Sequence, residues 1–157
     1  ARGDVNSGAL IAIAKLAAEA AAEEGAISAL DPDRTRAHAF GQNSLFEAWV
    51  AQERPNAPII GQAVITKSYD FRRAQPTIVL CELFVTPPNR HGGLARKLMS
   101  CVAQRARDLG ARELTITTGV DNAVAQRFFA AIGAKHNQAN VFQMSADGIE
   151  WLAAENS

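Results

Sequence analysis

A pair of glycines after two basic residues is the most chemically suggestive feature of this sequence. The stretch from Arg90 to Ala95 reads Arg-His-Gly-Gly-Leu-Ala and follows an apolar run that ends at Pro87 and Pro88. Glycines let several backbone N–H groups converge, and a helix that begins here would direct its positive end to the same point. The stretch therefore predicts a cradle for an anion such as a phosphate.

The charges around this loop support an anion site. Arg90, Arg96 and Lys97 crowd a predicted helix N-terminus, where each cation is disfavoured by roughly 0.3 to 1 kcal/mol. The alternative interpretation is that Gly92 and Gly93 only make a tight turn and that the arginines are solvated. The loop lacks the Gly-Lys-Ser/Thr ending of a P-loop and the three glycines of a dinucleotide fingerprint, which argues against ATP and NAD.

Glu82 is the one acid in the apolar run from Ile78 to Val85. Such a run predicts a strand covered on both faces, and on it Glu82 would share a face with Leu80 and Phe84. Desolvation there would raise the pKa of the carboxyl group toward a range useful to a general base. The alternatives are a carboxylate paired with a nearby arginine and one exposed at a sheet edge.

The remaining reactive side chains favour structural roles. Cys81 and Cys101 lie far apart and fall on apolar patterns, which predicts two buried small hydrophobic residues and neither a disulfide nor a zinc site. His91 is a weaker base candidate because it lies in the predicted phosphate loop. His38 and His136 lack partners at a recognisable spacing, so we expect them at the surface. No metal is expected.

The elements that would position these residues follow from the hydrophobic periodicity. A first helix ends before Gly25, with Asp4, Asn6 or Ser7 as its N-cap, and a short second helix lies within 31–40. The other predicted elements are strands at 45–51, 59–66, 78–85, 114–117 and 141–144, and helices at 94–109 and 122–132. This order predicts an α/β domain with a right-handed parallel crossover, whose ligand would bind where the 78–85 strand ends.

Composition limits the class of protein. The 157 residues are 48% hydrophobic and 20% charged, as expected of one globular domain over 1–157. Sixteen basic residues balance sixteen acidic ones, which argues against nucleic acid and against an anionic membrane surface as partners. No apolar run reaches the roughly 18 residues of a spanning helix, and no leader pattern is present, so we expect a cytoplasmic protein.

In these motifs the sequence resembles the GNAT superfamily of acyl-CoA-dependent N-acyltransferases. Its signature is Arg/Gln-x-x-Gly-x-Gly/Ala after a strand that ends in an aromatic-valine pair, and here Phe84-Val85 precedes Arg90 to Ala95. A second similarity runs from Asn122 to Phe129, Asn-x-x-Ala-x-x-Phe-Phe, and continues in Ile-Gly-Ala at 132–134. The resemblance covers nearly the whole chain.

The resemblance implies a fold of the α/β (α+β) class. It has a mixed, mostly antiparallel sheet, a splayed pair of parallel strands and helices on both faces. Only residues 1–4 precede the first predicted helix, so the strand that opens this family would be trimmed or very short here. The resemblance also allows a homodimer, although no interface is specified by the sequence.

The resemblance further implies acetyl-CoA as cosubstrate, with no metal. The pantetheine arm would lie in the gap between the strands at 78–85 and 114–117 and would bond to backbone near Phe84 and Val85. Asn122 would hydrogen-bond the arm, a role compatible with a plain helix N-cap, and Glu82 would take a proton from the attacking amine, directly or through water. The pyrophosphate would sit on the loop amides, that is, on Arg90, His91, Gly92, Gly93, Leu94 and Ala95.

One departure from the family concerns the general acid. Phe129 occupies the place of a tyrosine that in many members protonates the leaving thiolate, although the residue would still line the CoA site. Tyr69 is the only tyrosine, and it would have to reach in from a loop, or water must serve. The departure motivates a rival function, an acyl-CoA-binding regulatory module without turnover.

The acceptor is open at the level of sequence. Tyr69-Asp70 followed by the run from Leu80 to Val85 is similar to the diamine and polyamine acetyltransferase branch, but Cys81 replaces the first acid of its strand motif. A small primary amine, an amino acid, a protein N-terminus and a polyamine all remain candidates. Transfer of a longer acyl chain remains open as well.

Overall fold

The computed structural model describes residues 7–40, 43–139 and 141–156. The chain divides into two compact units, Ala1–Gly119 and Val120–Ser157. The first unit holds α1 (Ser7–Glu23), α2 (Pro32–Ala39), β1 (Glu47–Gln52), β2 (Ile59–Asp70), β3 (Gln75–Val85), α3 (Leu94–Asp108) and β4 (Leu114–Ile116). The second unit holds α4 (Ala123–Ala131) and α5 (Ala146–Ala153), and short 3₁₀ turns span Pro87–Asn89 and Ala154–Asn156.

The four strands form one mixed sheet in the order β1-β2-β3-β4. β1 pairs with β2 and β2 with β3 in antiparallel fashion, whereas β3 and β4 are parallel. α3 connects the parallel pair, because parallel neighbours need a crossover of this length. The predicted α/β class, with a mostly antiparallel sheet and one parallel pair, is therefore confirmed.

One face of the sheet packs against α3. A Cβ atom built on Gly61 would lie 3.4 Å from the side chains of Leu94 and Leu98 and 3.1 Å from the Phe84 carbonyl oxygen, so a side chain at this position would push α3 away from β2. The buried apolar residues of β2 and α3 are Ala63, Ile65, Leu98, Met99 and Val102.

The opposite face packs against α1. Ala17 of α1 borders a cleft together with Gln62 and Val64 of β2, and these two side chains point away from Ala63 because successive residues of a strand alternate in direction. The apolar residues that α1 buries are Leu10, Ile13, Ala14, Leu16 and Ala17. Helices thus cover both faces of the sheet, as the resemblance implied.

A β-bulge interrupts β3 at Cys81. Glu82 lies opposite Val64 and Leu80 lies opposite Ile65, so Cys81 has no counterpart on β2. Parallel pairing with β4 runs from Ile78 only as far as Leu80. The bulge therefore marks the point at which β3 and β4 part, and such irregularities commonly re-aim side chains beside active sites.

A cluster of three charged side chains joins β1, β2 and α3. Arg105 donates to both carboxylate oxygens of Glu47, Nε to Oε2 at 2.7 Å and Nη2 to Oε1 at 2.8 Å. Lys67 Nζ lies 2.9 Å from Glu47 Oε1. The two cations lower the pKa of Glu47 from 4.5 to about 2, with the hydrogen bond from Arg105 as the largest cause and partial burial acting in the opposite direction.

Two expectations about the fold are corrected, and a third falls partly outside the described residues. The stretch 141–144 is not a strand, and α5 follows it where no helix was expected. Cys81 and Cys101 are exposed rather than buried, so β3 is not covered on both faces along its whole length. The first helix begins at Ser7, and the suggested caps Asp4 and Asn6 lie outside the described residues. None of the described helices has the length and apolar character needed to cross a membrane.

Candidate active site

The loop between β3 and α3 has the backbone of an anion cradle. His91 and Gly93 both adopt left-handed conformations, with φ of 67° and 79°, and Gly93 is the N-cap of α3 without any side-chain cap. The first N–H groups of α3, beginning with those of Leu94 and Ala95, therefore have no intrahelical acceptor. No atom lies within 4 Å of a Cβ built on Gly93, so the space in front of these amides is open.

Arg90 forms a network behind this loop. Its Nη2 donates to both oxygens of Glu23, at 2.6 and 2.8 Å, and its Nε donates to the Val85 carbonyl at 2.8 Å. Its guanidinium carbon lies 5.4 Å from the centre of the Phe84 ring, within cation–π range. The side chain thus ties the end of α1 to the end of β3, and its charge is balanced by a carboxylate of the protein itself.

The edge of β3 beyond the bulge is open on the side of β4. The Thr86 N–H donates to the Ile60 carbonyl at 2.9 Å, so the backbone groups of Thr86 and Phe84 point toward β2. Those of Leu83 and Val85 point the other way because alternate residues of a strand face opposite neighbours. β4 pairs with β3 only up to Leu80, which leaves two N–H groups facing the divergence of the strands.

A cleft of about 280 Å³ lies on the α1 face of the sheet, next to this divergence. Its floor comes from β2 and β3, with Gln62, Val64 and Glu82. Its walls come from Ala17 of α1, from Ser28 and Leu30 in the segment after α1, and from Phe46 before β1. The rim is completed by Thr66 and Cys81. An acid thus lies at the base of a small, mainly apolar pocket.

Glu82 is half-buried in this cleft, and Gln62 Nε2 donates a hydrogen bond to its Oε1. Burial raises the pKa of Glu82 above its ordinary value, the bond from Gln62 opposes this, and the nearby charge of Glu24 adds to the rise. Among the described residues no arginine pairs with Glu82, so the alternative of an ion-paired carboxylate does not hold. A desolvated carboxylate held by one amide is well suited to accept a proton.

Gln62 is the residue that sequence reasoning missed. It is fully buried, and within the described chain its Oε1 has no hydrogen-bond partner. The available signal was a single amide in the otherwise small and apolar stretch from Ile59 to Ile65 of a predicted strand. Its alignment with Glu82 could not be read from the sequence, because the bulge at Cys81 changes which residues of β2 and β3 share a face.

The second motif lies in the unit formed by Val120–Ser157. Asn122 Oδ1 accepts a hydrogen bond from the Ala125 N–H at 3.0 Å and so caps α4. Phe129 packs edge-to-face on Phe128, with ring centres 5.3 Å apart and planes at 69°. The N-cap role suggested for Asn122 is therefore present, and Phe129 brings an aromatic ring without a hydroxyl group.

Tyr69, the alternative proton donor that the sequence offered, lies away from the cleft. Tyr69 is exposed near the end of β2, opposite Pro76. Pro76 lies six residues along β3 from Glu82, roughly 20 Å at the usual strand rise, so Tyr69 is too distant to protonate a leaving group there.

A larger depression of about 570 Å³ lies at the end of α3 and the start of β4, away from the loop between β3 and α3. Its ionisable residues are Arg107, Arg112 and Glu113, and all three are exposed.

Comparisons with known proteins identify the family and the fold of the chain. Residues 13–134 match the model of the Acetyltransferase (GNAT) family, whereas no curated protein matches the chain. Among solved structures, the chain is similar to an integron cassette protein from the mobile metagenome of V. cholerae, with 21% identity, a TM-score of 0.77 and coverage of 95% of this chain and 94% of that one.

Two further structures share the fold. A probable acetyltransferase is 20% identical with a TM-score of 0.74, over 87% of this chain and 92% of that one. An aminoglycoside N-acetyltransferase in complex with CoA is 23% identical with a TM-score of 0.58, over 66% of this chain and 78% of that one. The class of protein that this fold and family match define is the acyl-CoA-dependent N-acetyltransferase. The chain belongs to the acetyltransferase (GNAT) family.

Proposed function

We propose that this enzyme transfers the acetyl group of acetyl-CoA to a primary amine by direct attack within a ternary complex. The observation that carries the proposal is Glu82, a half-buried carboxylate with a raised pKa at the base of the cleft. It lies next to the bulge at which β3 and β4 part. An acid in this position can deprotonate an amine held close to a thioester.

The cosubstrate would bind along β3 and the following loop. The pyrophosphate would accept hydrogen bonds from the amides between Arg90 and Ala95, and the open space at Gly93 supports this placement. The pantetheine arm would bond to the N–H groups of Leu83 and Val85. Sequence reasoning placed the first of these contacts near Phe84, but the backbone of Phe84 faces β2, which favours Leu83.

The roles of the second motif rest on the family alone. Asn122 would hydrogen-bond the pantetheine arm with the part of its amide that the N-cap does not use. Phe129 would supply apolar contact to the cosubstrate and no proton. Neither assignment depends on the geometry of β3 and its loop. Each can be tested by comparing the affinity for CoA of a single variant, at Asn122 or at Phe129, with that of the parent protein.

In the reaction, Glu82 accepts a proton from the amine, directly or through water, and the nitrogen attacks the thioester carbonyl carbon. The new C–N bond forms as the C–S bond breaks, and the products are an amide and the free thiol of CoA. A thiol has an ordinary pKa of about 8.5, so it can leave as a thiolate that water then protonates. A dedicated acid such as the absent tyrosine is therefore dispensable.

A second candidate function is a CoA-binding regulatory module. The observation that favours it is the lack of a phenolic acid, since Phe129 has no hydroxyl group and Tyr69 lies roughly 20 Å from Glu82 along the strand. Such a module would use the loop and the edge of β3 in the same way, but its cleft would not turn over an amine.

Calorimetric titration with acetyl-CoA, followed by a thiol-release assay across amines, tests both functions. Binding together with amine-dependent thiol release is the expected result. Binding without release from any amine would favour the regulatory module. Absence of binding would overturn the assignment of the loop from Arg90 to Ala95.

A further inference from the structure

The side chains that line the cleft restrict the chemistry of the acceptor. Glu82 is the only carboxylate among the nine lining residues, and neither a lysine nor an arginine is present among them. Within the described chain, Glu24 acts on Glu82 through its charge but does not line the cleft. The cleft thus offers one anionic group, which the reacting amine itself would engage.

An acceptor that carries a carboxylate would be poorly accommodated. Its anion would enter a pocket whose only charged side chain has the same sign, and burying an unpaired charge is strongly unfavourable. Repulsion from Glu82 would add to this cost. Free amino acids are therefore disfavoured, since their carboxylate lies one carbon from the amine and must follow it into the cleft.

A second ammonium group is disfavoured for a related reason. Once Glu82 faces the reacting nitrogen, no other lining side chain carries a negative charge. The rest of the lining presents hydroxyl groups, a thiol, the neutral amide of Gln62 and the apolar side chains of Ala17, Leu30, Phe46 and Val64. A diamine of moderate length would bury its distant charge against them. The volume of about 280 Å³ lies just below the usual range of small-molecule sites, which starts at roughly 300 Å³, and this favours a compact ligand.

We propose that the acceptor is a primary monoamine with a compact apolar body and no carboxylate. This inference rests on the proposed function, because it takes the cleft as the place where the amine binds. Of the candidates that the sequence left open, the inference keeps small amines and disfavours free amino acids and polyamines.

The test compares matched pairs of acceptors in the thiol-release assay at saturating acetyl-CoA. Phenethylamine is paired with phenylalanine, which adds only the carboxylate, and pentylamine is paired with cadaverine, which adds only the second amine. The expected result is that kcat/KM is at least about 100-fold higher for the monoamine of each pair, because burying a charge without a partner costs more than burying a neutral polar group. Equal or higher kcat/KM for phenylalanine or cadaverine would overturn the inference.

A variant that places a cation in the cleft gives an independent readout. Thr66 lines the cleft, whereas Ser68, two residues further along the same face of β2, does not. Thr66→Arg should raise kcat/KM for phenylalanine relative to phenethylamine at least about 10-fold, because the guanidinium would pair with the carboxylate. The control Ser68→Arg should leave the ratio unchanged, and an equal change in both variants would contradict the assigned cleft.

The same assay distinguishes failure of this inference about the acceptor from failure of the proposed acetyltransferase function. If acetyl-CoA binds and amines release thiol with the opposite preference, the acceptor class is wrong and the N-acetyltransferase function stands. If acetyl-CoA binds and no amine of any class releases thiol, the proposed function fails and this inference fails with it.

Discussion

At the scale of single residues, the proposed proton transfer depends on Glu82 and on its hydrogen bond with Gln62. The amide of Gln62 donates to a carboxylate that burial has made more basic, so the two effects act on the pKa in opposite directions. The amide also fixes the orientation of the carboxylate from the fully buried floor of the cleft. Glu82 would touch the reacting amine, whereas Gln62 acts through Glu82 as a positioning residue.

Replacing Glu82 by glutamine should separate catalysis from binding. Glu82→Gln is expected to lower kcat by about 10² to 10⁴-fold, the usual contribution of a general base, with the Kd for acetyl-CoA unchanged. Calorimetry and thiol release on one preparation measure both quantities. The control is Glu24→Gln, which removes a neighbouring carboxylate outside the cleft and should retain kcat. Full activity of Glu82→Gln would exclude Glu82 as the base.

The pH dependence of kcat/KM should report the hydrogen bond from Gln62. Activity is expected to rise with pH as Glu82 loses its proton, with the midpoint above the ordinary carboxyl value of 4.5 because the pKa is raised. Gln62→Leu removes the bond that opposes this rise, so the acidic limb should move to still higher pH. The acceptor amine titrates identically in both proteins, and the difference between them isolates Glu82. An unshifted limb would show that Gln62 does not tune the base.

At the scale of elements, α3 carries a glycine in the left-handed conformation at each end. Gly93 precedes the helix with φ of 79°, Gly110 follows it with φ of 69°, and neither has an atom within 4 Å of a built Cβ. The two positions share backbone strain and open space. They differ in that only Gly93 belongs to the proposed phosphate cradle, so each serves as a control for the other.

Gly93→Val and Gly110→Val should therefore lose similar stability and differ in binding. Each forces a β-branched residue into the left-handed region, at a cost of at least roughly 1 to 2 kcal/mol, so both melting temperatures should fall. Only Gly93→Val should abolish acetyl-CoA binding in calorimetry, because its side chain would fill the space in front of the loop amides. Equal affinity in the two variants would remove the phosphate assignment.

The elements also show how far the sequence alone could lead. β2, β3, α3 and the loop between β3 and α3 follow from local signals, namely long apolar runs, prolines and paired glycines. The start of β2 and the end of β3 match the predictions 59–66 and 78–85, although β2 continues to Asp70 and β3 begins at Gln75. The four-residue alternation at 141–144 was a weaker signal. A strand is stable only when a partner takes up its backbone groups, and no described residue pairs with this stretch.

The details of the candidate site depend on pairing between strands. A bulge is a property of two strands in register, so no pattern within β3 alone identified Cys81 as the extra residue or aligned Glu82 with Gln62. The contact between Arg90 and Glu23 joins residues 67 positions apart. Glu82, by contrast, was recognisable as a single acid in an apolar run.

For the whole molecule, the cluster around Glu47 links the outer strand to α3 and should set the acid stability. The pKa of Glu47 is lowered from 4.5 to about 2, so its contribution is complete above pH 4.5 and is lost as the pH falls toward 2. The side chains of Glu47 and Arg105 are 25% and 32% exposed, so solvent screens part of the interaction.

Glu47→Gln should lower the free energy of unfolding by about 2 kcal/mol at neutral pH. A pKa shift of one unit corresponds to roughly 1.4 kcal/mol, and the expected value is smaller than the full shift would give because solvent screens part of the interaction. The difference from the parent protein should shrink as the pH approaches 2. Urea denaturation at several pH values measures this dependence. Glu113→Gln breaks an exposed pair with Arg73 and should cost at most about 1 kcal/mol. A pH-independent difference for Glu47→Gln would contradict the ion-pair explanation.

The open edge of β3 has a consequence for handling the purified enzyme. Unpaired backbone groups along a strand are a template for a strand of another molecule, and such edges promote aggregation. The Val85 carbonyl is already occupied, because Arg90 Nε donates to it, but the N–H groups of Leu83 and Val85 still face outward. Pro87 and Pro88 limit the template at one end because proline cannot donate a backbone hydrogen bond. A cosubstrate that occupies Leu83 and Val85 would cover the rest, so preparations stripped of CoA should become turbid sooner on storage than preparations saturated with it.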